Sequence, residues 1–325
     1  MQIVLFKHGF EYCNYMCADL DTIDNIITIE PYSFGGGYFW KKACGLHRKV
    51  TKRTDNFSRI WYRAFLDFHK FQKNEKIAFC FFDSSYELYN KKFLQWLKQQ
   101  YPNSKNYVFI LNPLCDDKDK VAYYKEVCDG IYSHDSYDCQ KYGLRFFYGF
   151  MPTKQDVFTY PMNRDEYDLC FVGRDKGRYP QIKALYKRLS DTGIRCLFYV
   201  LTDRVPKDQY DQAICKTKRI SFMETLDMEA SSSILLDYTF VAGGMQGFTL
   251  RVMDAVGMEK KIISNNKTLT AAPIWNENNM AVVDSLDDIT PSFVKGLLEK
   301  KKLKFAHKEI FSPLRVIDDI KQDFE

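Results

Sequence analysis

Nowhere does this sequence stay apolar for the ~20 residues that a membrane-spanning helix needs. Its opening residues, MQIVLFKHGF, reach a charge at Lys7 and so lack the apolar core of a secretory signal. A soluble or peripheral protein in the cytosol is therefore expected. There is no CxxC pair: Cys13 and Cys17 are the closest of ten cysteines, and no histidine cluster at ligand spacing accompanies them. That argues against a disulfide framework and a metal site, and for buried, reduced thiols. Charge of one sign is also scarce, since 47 basic and 42 acidic residues leave only +5. So mild an excess makes nucleic acid an unlikely class of partner, and none is expected. Repeats and low-complexity tracts are absent.

What is present is a chain of 325 residues, 46% hydrophobic and 27% charged. That length exceeds what one core usually supports, so two domains are expected. Aromatics are plentiful, with 26 Phe and 22 Tyr, enough for cores and for exposed platforms. Basic residues cluster at Lys41, Lys42, Arg48, Lys49, Lys52 and Arg53, and again over Lys300–Lys304. Such runs form a solvated face or face an anionic surface, and their composition leaves both readings open.

Apolar runs of strand length alternate with helical periodicity, the pattern of parallel α/β domains. Strands are expected at Ile3–Phe6, Ile26–Ile29, Ile77–Phe82, Tyr107–Leu111, Gly130–Ser133 and Phe146–Phe150, with helices over Ser58–Lys70 and Tyr86–Gln100. The pattern stops over Met151–Glu166 and restarts with a strand at Asp168–Val172, a helix at Pro180–Thr192 and a strand at Cys196–Val200. Later strands are expected at Ile234–Tyr238, Lys261–Ser264 and Met280–Val283, between helices at Met223–Glu229, from Gly247, at Ser292–Lys300 and at Leu314–Phe324. The expected architecture is two Rossmann-like parallel-sheet domains facing each other across a cleft. Residues 1–152 form the first, 153–166 a linker, 167–310 the second, and 311–325 a C-terminal helix returning to the first.

The segment Ser231–Asn266 reads as strand, glycine-bearing loop, helix and strand. A small-residue loop feeding a helix N-terminus is an anion site, because unpaired N–H groups and the helix dipole point at the ligand. One turn on lie Arg251, a cation for phosphate, and Asp254, a carboxylate for hydroxyl groups. This is a way of holding a sugar nucleotide. Upstream, YDLCFVGRDKGRYPQ ends a buried strand at Val172 and follows it with Arg174, Lys176 and Arg178, a diphosphate clamp or else a solvated loop whose cations cap carbonyls. Gly35, Gly36 and Gly37, then Tyr38 and Trp40, make a loop that serves either as a mobile acceptor loop with aromatic platforms or as a simple turn.

FVGRDKGR followed by GFTLRVMDAVGMEKKIISNN resembles the C-terminal domain of GT-B glycosyltransferases, and more closely proteins of bacterial capsule, exopolysaccharide and lipopolysaccharide clusters. The resemblance is good over residues 167–285 and weaker in the first half, where it rests on YSHDSYDCQKYGL. It implies that Arg174 and Lys176 neutralise a donor diphosphate and that Gly247, Phe248 and Thr249 form the turn whose backbone meets the phosphates. It also implies that Asp254 takes the ribose. Gln246 stands where large retaining families keep a glutamate that contacts the donor sugar.

The implied activity is transfer of a sugar from a nucleotide-diphosphate donor to a glycan or lipid-linked oligosaccharide, with peripheral contact at the inner membrane. No metal and no cofactor beyond the donor substrate are expected, because fixed cations and a helix N-terminus stabilise the leaving phosphates. An inverting reaction needs a general base from the first domain. Asp83 and His8 are the first choices, followed by the pair His134 and Asp135, and each is also a plausible turn residue or helix cap. Two other readings fit the same segments: a non-hydrolysing nucleotide-sugar epimerase, and a non-catalytic binding subunit of the same fold.

Overall fold

The computed structural model describes residues 1–7, 11–29, 42, 46, 71–83, 91–154, 156–239 and 247–325. The expected helix at Ser58–Lys70 lies outside them, as do His8, Gly36, Gly37, Tyr38 and Gln246. The chain divides into two compact units, Met1–Phe147 with Pro313–Glu325, and Tyr148–Ser312. Residues 153–166 thus group with the second unit.

The first unit holds β1 (Gln2–Phe6), β2 (Ile26–Ile29), β3 (Ile77–Phe82), β4 (Lys105–Ile110), β5 (Gly130–Ser133) and β6 (Arg145–Phe146). Among the described residues they form one sheet in the order β2-β1-β3-β4-β5-β6, with every pairing parallel. A parallel sheet is covered on both faces, so its central strands are apolar throughout rather than alternating. IAFCFF of β3 is buried at all six positions. Aromatics pack against one another in this interior: Phe6 stacks on Phe81 with centroids 4.5 Å apart and planes 10° from parallel, and Phe82 packs on Phe109. Each such pair contributes about 1 kcal/mol beyond its buried area.

The helix Pro313–Gln322 belongs to this unit although it ends the sequence. Arg145 donates through both Nη atoms to the Asp323 carboxylate, at 2.8 and 2.9 Å, and the Tyr107 hydroxyl donates to the same group at 2.9 Å. The Tyr132 hydroxyl binds Asp319, and Lys105 binds the Asp323 carbonyl. Three neighbouring strands, β4 to β6, thus clasp the chain's last turn.

The second unit holds β7 (Tyr167–Arg174), β8 (Cys196–Leu201), β9 (Cys215–Lys216), β10 (Ser232–Asp237), β11 (Lys261–Ser264) and β12 (Met280–Val282). Their order is β12-β11-β10-β7-β8-β9, again parallel throughout. Helices Tyr179–Ser190, Phe222–Ala230 and Leu250–Gly257 lie between these strands, and a fourth, Pro291–Glu299, follows β12. Pro180 suits the first helix because its missing N–H falls among the unbonded ones. Ser221 and Glu224 close a capping box on the second. At the fourth, the buried Lys261 Nζ donates to the carbonyls of Leu297, Leu298 and Lys300, so a cation from β11 satisfies that helix's C-terminus.

The nine described cysteines are all free, but only Cys13, Cys17, Cys80 and Cys170 are buried. Cys115 is exposed on a left-handed turn, which corrects the expectation that all are interior. No helix among the described residues is long and apolar enough to cross a membrane.

Candidate functional site

In the second sheet, chain order runs outward one way through β7, β8 and β9, and the other way through β10, β11 and β12. The reversal falls between β7 and β10. Loops leaving two such strands diverge to opposite faces and open a crevice beyond the carboxyl ends, where open α/β sheets bind ligands. Arg174 ends β7 and Asp237 ends β10.

On the β7 side, Arg174 and Lys176 are exposed, and neither has an ion-pair partner among the described residues. Lys176 (φ 45°) and Gly177 (φ 82°) are both left-handed, a sharp turn that glycine accepts readily and lysine at some cost in strain. Asp175 organises that turn. It accepts hydrogen bonds from Gly177 N, Tyr179 N, Thr202 Oγ1 and Arg204 Nε, at 2.8 to 3.1 Å. These bonds occupy the Tyr179 N–H of the following helix with the protein's own carboxylate. An anion here is thus left to the side chains. Residues 174–177 and 201–204 line a cavity of about 570 Å³.

Arg178 behaves differently from its two neighbours. It is 9% exposed, its Nη1 binds the Tyr238 carbonyl, and its Nη2 donates to the Arg174 carbonyl at 3.3 Å. It therefore bridges the ends of the two diverging strands, with its guanidinium 5.3 Å from the Phe171 ring centroid. Burial first, and Arg251 second, lower its pKa to about 10, so it remains charged at neutral pH. Its Nε is buried and has no partner among the described residues. An orphaned guanidinium N–H in a crevice is costly unless a ligand takes it up.

On the β10 side, Thr249 caps the Leu250–Gly257 helix and donates through Oγ1 to Asp237 Oδ1 at 2.9 Å. Ser264 Oγ donates to the other Asp237 oxygen at 2.8 Å, and Asn266 Nδ2 donates to the Gly247 carbonyl at 2.9 Å. Gly247 and Thr249 are thus fixed at the crevice by the ends of β10 and β11. Phe248 is a packing residue, stacked on Tyr148 at 5.7 Å and edge-on to Phe311. Arg251, expected as a cation for phosphate, turns inward instead. It binds the Val172 carbonyl, donates to Glu229 at 3.4 Å and lies 5.4 Å from the Phe171 centroid. Asp254, expected to face a ribose, is 2% exposed and meets Glu229.

In the first unit, Asp83 and His134 converge on the end of β4. Asp83 accepts from Leu111 N at 3.1 Å and pairs with Lys120 at 2.9 Å. His134 Nδ1 lies 3.2 Å from the Ile110 carbonyl, which assigns the ring proton to Nδ1 and leaves Nε2 as the basic nitrogen. Burial lowers its pKa, keeping the ring neutral and able to accept a proton. Asp135 is occupied as a helix cap, accepting from Tyr137 N and Asp138 N.

Sequence reasoning missed Asp175, Lys120, Asp237 and Glu229. Asp175 carried a signal, an Asx turn one residue ahead of Lys-Gly. The others depend on partners far along the chain.

No protein-family model matches the chain, and no curated protein matches it. Among solved structures it is similar to a DNA-modifying enzyme, β-glucosyltransferase, solved with and without uridine diphosphoglucose, at 13% identity over 99% of each chain with a TM-score of 0.50. It is also similar to UDP-GlcNAc 2-epimerase from Methanocaldococcus jannaschii, at 9% identity over 99% of this chain and 100% of that one, with a TM-score of 0.49. Sucrose-phosphate synthase from Thermosynechococcus elongatus aligns at 10% identity over 100% and 99%, with a TM-score of 0.47. The likeness to the β-glucosyltransferase shows the fold: two parallel-sheet α/β units of the GT-B kind.

Proposed function

We propose that the chain is a glycosyltransferase that binds a nucleotide-diphosphate sugar in the second unit. The observation that carries this reading is the pair Arg174 and Lys176, exposed and without carboxylate partners among the described residues, beside the partnerless buried Nε of Arg178. Two cations and an orphan donor at a strand-order reversal suit a diphosphate, whose leaving charge they would stabilise during transfer. The Gly247–Thr249 turn would supply backbone contacts from the other side.

The acceptor is proposed to be a glycan or lipid-linked oligosaccharide of a bacterial surface polysaccharide. The sequence resemblance over residues 167–285 supports this, and the Lys300–Lys304 run suits contact with an anionic membrane face. If the reaction inverts, His134 is the proposed general base, ahead of Asp83, which already holds Lys120.

Thermal shift with UDP and with GDP tests the donor site. One nucleotide should stabilise the protein, and Arg174→Ala with Lys176→Ala should weaken it roughly 100-fold or more, from two lost charge-assisted contacts of about 1.5–3 kcal/mol each. No shift with any nucleoside diphosphate would sink the reading. Product analysis without acceptor separates transfer, which yields little, from epimerisation, which yields an isomerised donor.

A further inference from the structure

Behind the crevice, three carboxyl groups and one guanidinium lie in the dry interior of the second unit. Glu229 is 1% exposed, Asp254 2% and Asp237 not at all. Arg251 donates to Glu229 Oε1 and lies 3.8 Å from Asp237. Asp237 has both oxygens satisfied, by Thr249 and Ser264. Glu229 does not: Oε2 is buried and receives no bond from an N–H or O–H donor among the described residues, while the Asp254 carboxyl lies within hydrogen-bonding reach of the Glu229 carboxyl. Two carboxylates are both acceptors, so only a proton on one of them makes that contact attractive.

We propose that Glu229 and Asp254 share a single proton, and that Glu229 is a positioning residue for the helix Leu250–Gly257 and for the Gly247–Thr249 turn at its head. The shared proton concerns the buried cluster itself and does not depend on what the crevice binds. Its consequence for nucleotide binding rests on the donor-site reading above.

Among the described residues, the groups facing Glu229 come from three elements. The helix Leu250–Gly257 brings Arg251 and Asp254, β10 brings Asp237, and β7 brings Cys170, whose thiol burial pushes up to about 12 and so keeps neutral. Arg178 faces Arg251 and Asp237. Burial pushes the Glu229 carboxyl up to about 7, against the pull of Arg251. The folded state therefore holds a proton that the unfolded chain releases near its ordinary value of 4.5. The stabilisation is complete below that value and is lost as pH rises through about 7. Above it, two carboxylates confront each other at the root of the helix.

The test uses the full chain and its Glu229→Gln variant, whose amide donates to Asp254 as the acid does but cannot ionise. Infrared difference spectra should show a protonated-carboxyl C=O band in the parent at neutral pH, fading as pH rises and missing in the variant. Between about pH 5 and pH 8 the parent's melting temperature should fall relative to the variant's. Affinity for UDP or GDP, whichever binds, should drop roughly fivefold between about pH 7 and pH 8 in the parent and stay flat in the variant. A parent lacking the band, or a melting profile parallel to the variant's, overturns the shared proton. If neither nucleotide binds at any pH, the donor-site reading falls, while band and melting profile still decide the proton. Should Glu229→Gln fail to fold, Asp254→Asn removes the other member and carries the same expectations.

Discussion

At the carboxyl end of β3 the first unit sets Asp83 against Lys120, and at the end of β1 it sets Lys7 against Asp21, at 2.9 and 2.7 Å. At the end of β7 the second unit leaves Arg174 and Lys176 exposed, with no ion-pair partner among the described residues. The two sheets share a parallel design, so the contrast is not one of architecture. In the first unit these charges are neutralised from within, and beside them, among the described residues, lies a neutral imidazole, His134. In the second, the carboxylates that could neutralise the rim are drawn elsewhere: Asp175 into its own loop, Asp237 onto two hydroxyls. One rim holds a neutral imidazole among paired charges, and the other exposes two cations without ion-pair partners among the described residues.

The sharpest way to break this contrast is to exchange interior and rim cations. Arg251→Met leaves Glu229, Asp254 and Asp237 buried without their guanidinium, and should cost about 3–5 kcal/mol in urea unfolding. Arg174→Ala should leave the unfolding midpoint unchanged while weakening nucleotide binding. If Arg251→Met is tolerated, the interior is not electrostatically tight, and the division between rim and interior cations dissolves. On the first unit's side, His134→Asn should lower turnover by about 10²–10⁴-fold with a small change in nucleotide affinity, measured by titration calorimetry. A comparable loss from Asp83→Asn alone would shift the base to the carboxylate. Asp135→Ala should lower stability by about 1 kcal/mol through loss of a helix cap. If it instead abolishes turnover in a folded protein, Asp135 takes part in the chemistry.

Much of the fold was legible because buried parallel strands announce themselves as unbroken apolar runs. Ile77–Phe82 and Lys261–Ser264 were read with their observed bounds, and Gly130–Ser133 likewise. The two-residue strands β6 and β9 were not, since two residues carry no period and exist only by pairing with a neighbour. Phe146–Phe150 was read as a strand, but pairing stops at Phe146, because its one neighbour among the described residues, β5, ends at Ser133. The crevice was legible at Arg174 and Lys176, because loops after buried strands are predictably exposed. Arg178 was indistinguishable from them in sequence, and what separates it is the Tyr238 carbonyl, sixty residues away. Glu229 lay beyond reach for a similar reason: its partners Arg251 and Asp254 come from another helix.

The clasp around Asp323 has a consequence for the order in which the molecule is made. A ribosome delivers residues 148–312 before it delivers Pro313–Glu325, so the unit whose strands appear first is completed last. The second unit is contiguous and can close as it emerges, whereas β4, β5 and β6 must wait with Lys105, Tyr107, Tyr132 and Arg145 unclasped until the final turn arrives. Loss of Pro313–Glu325 would therefore damage the unit whose strands lie within residues 1–147.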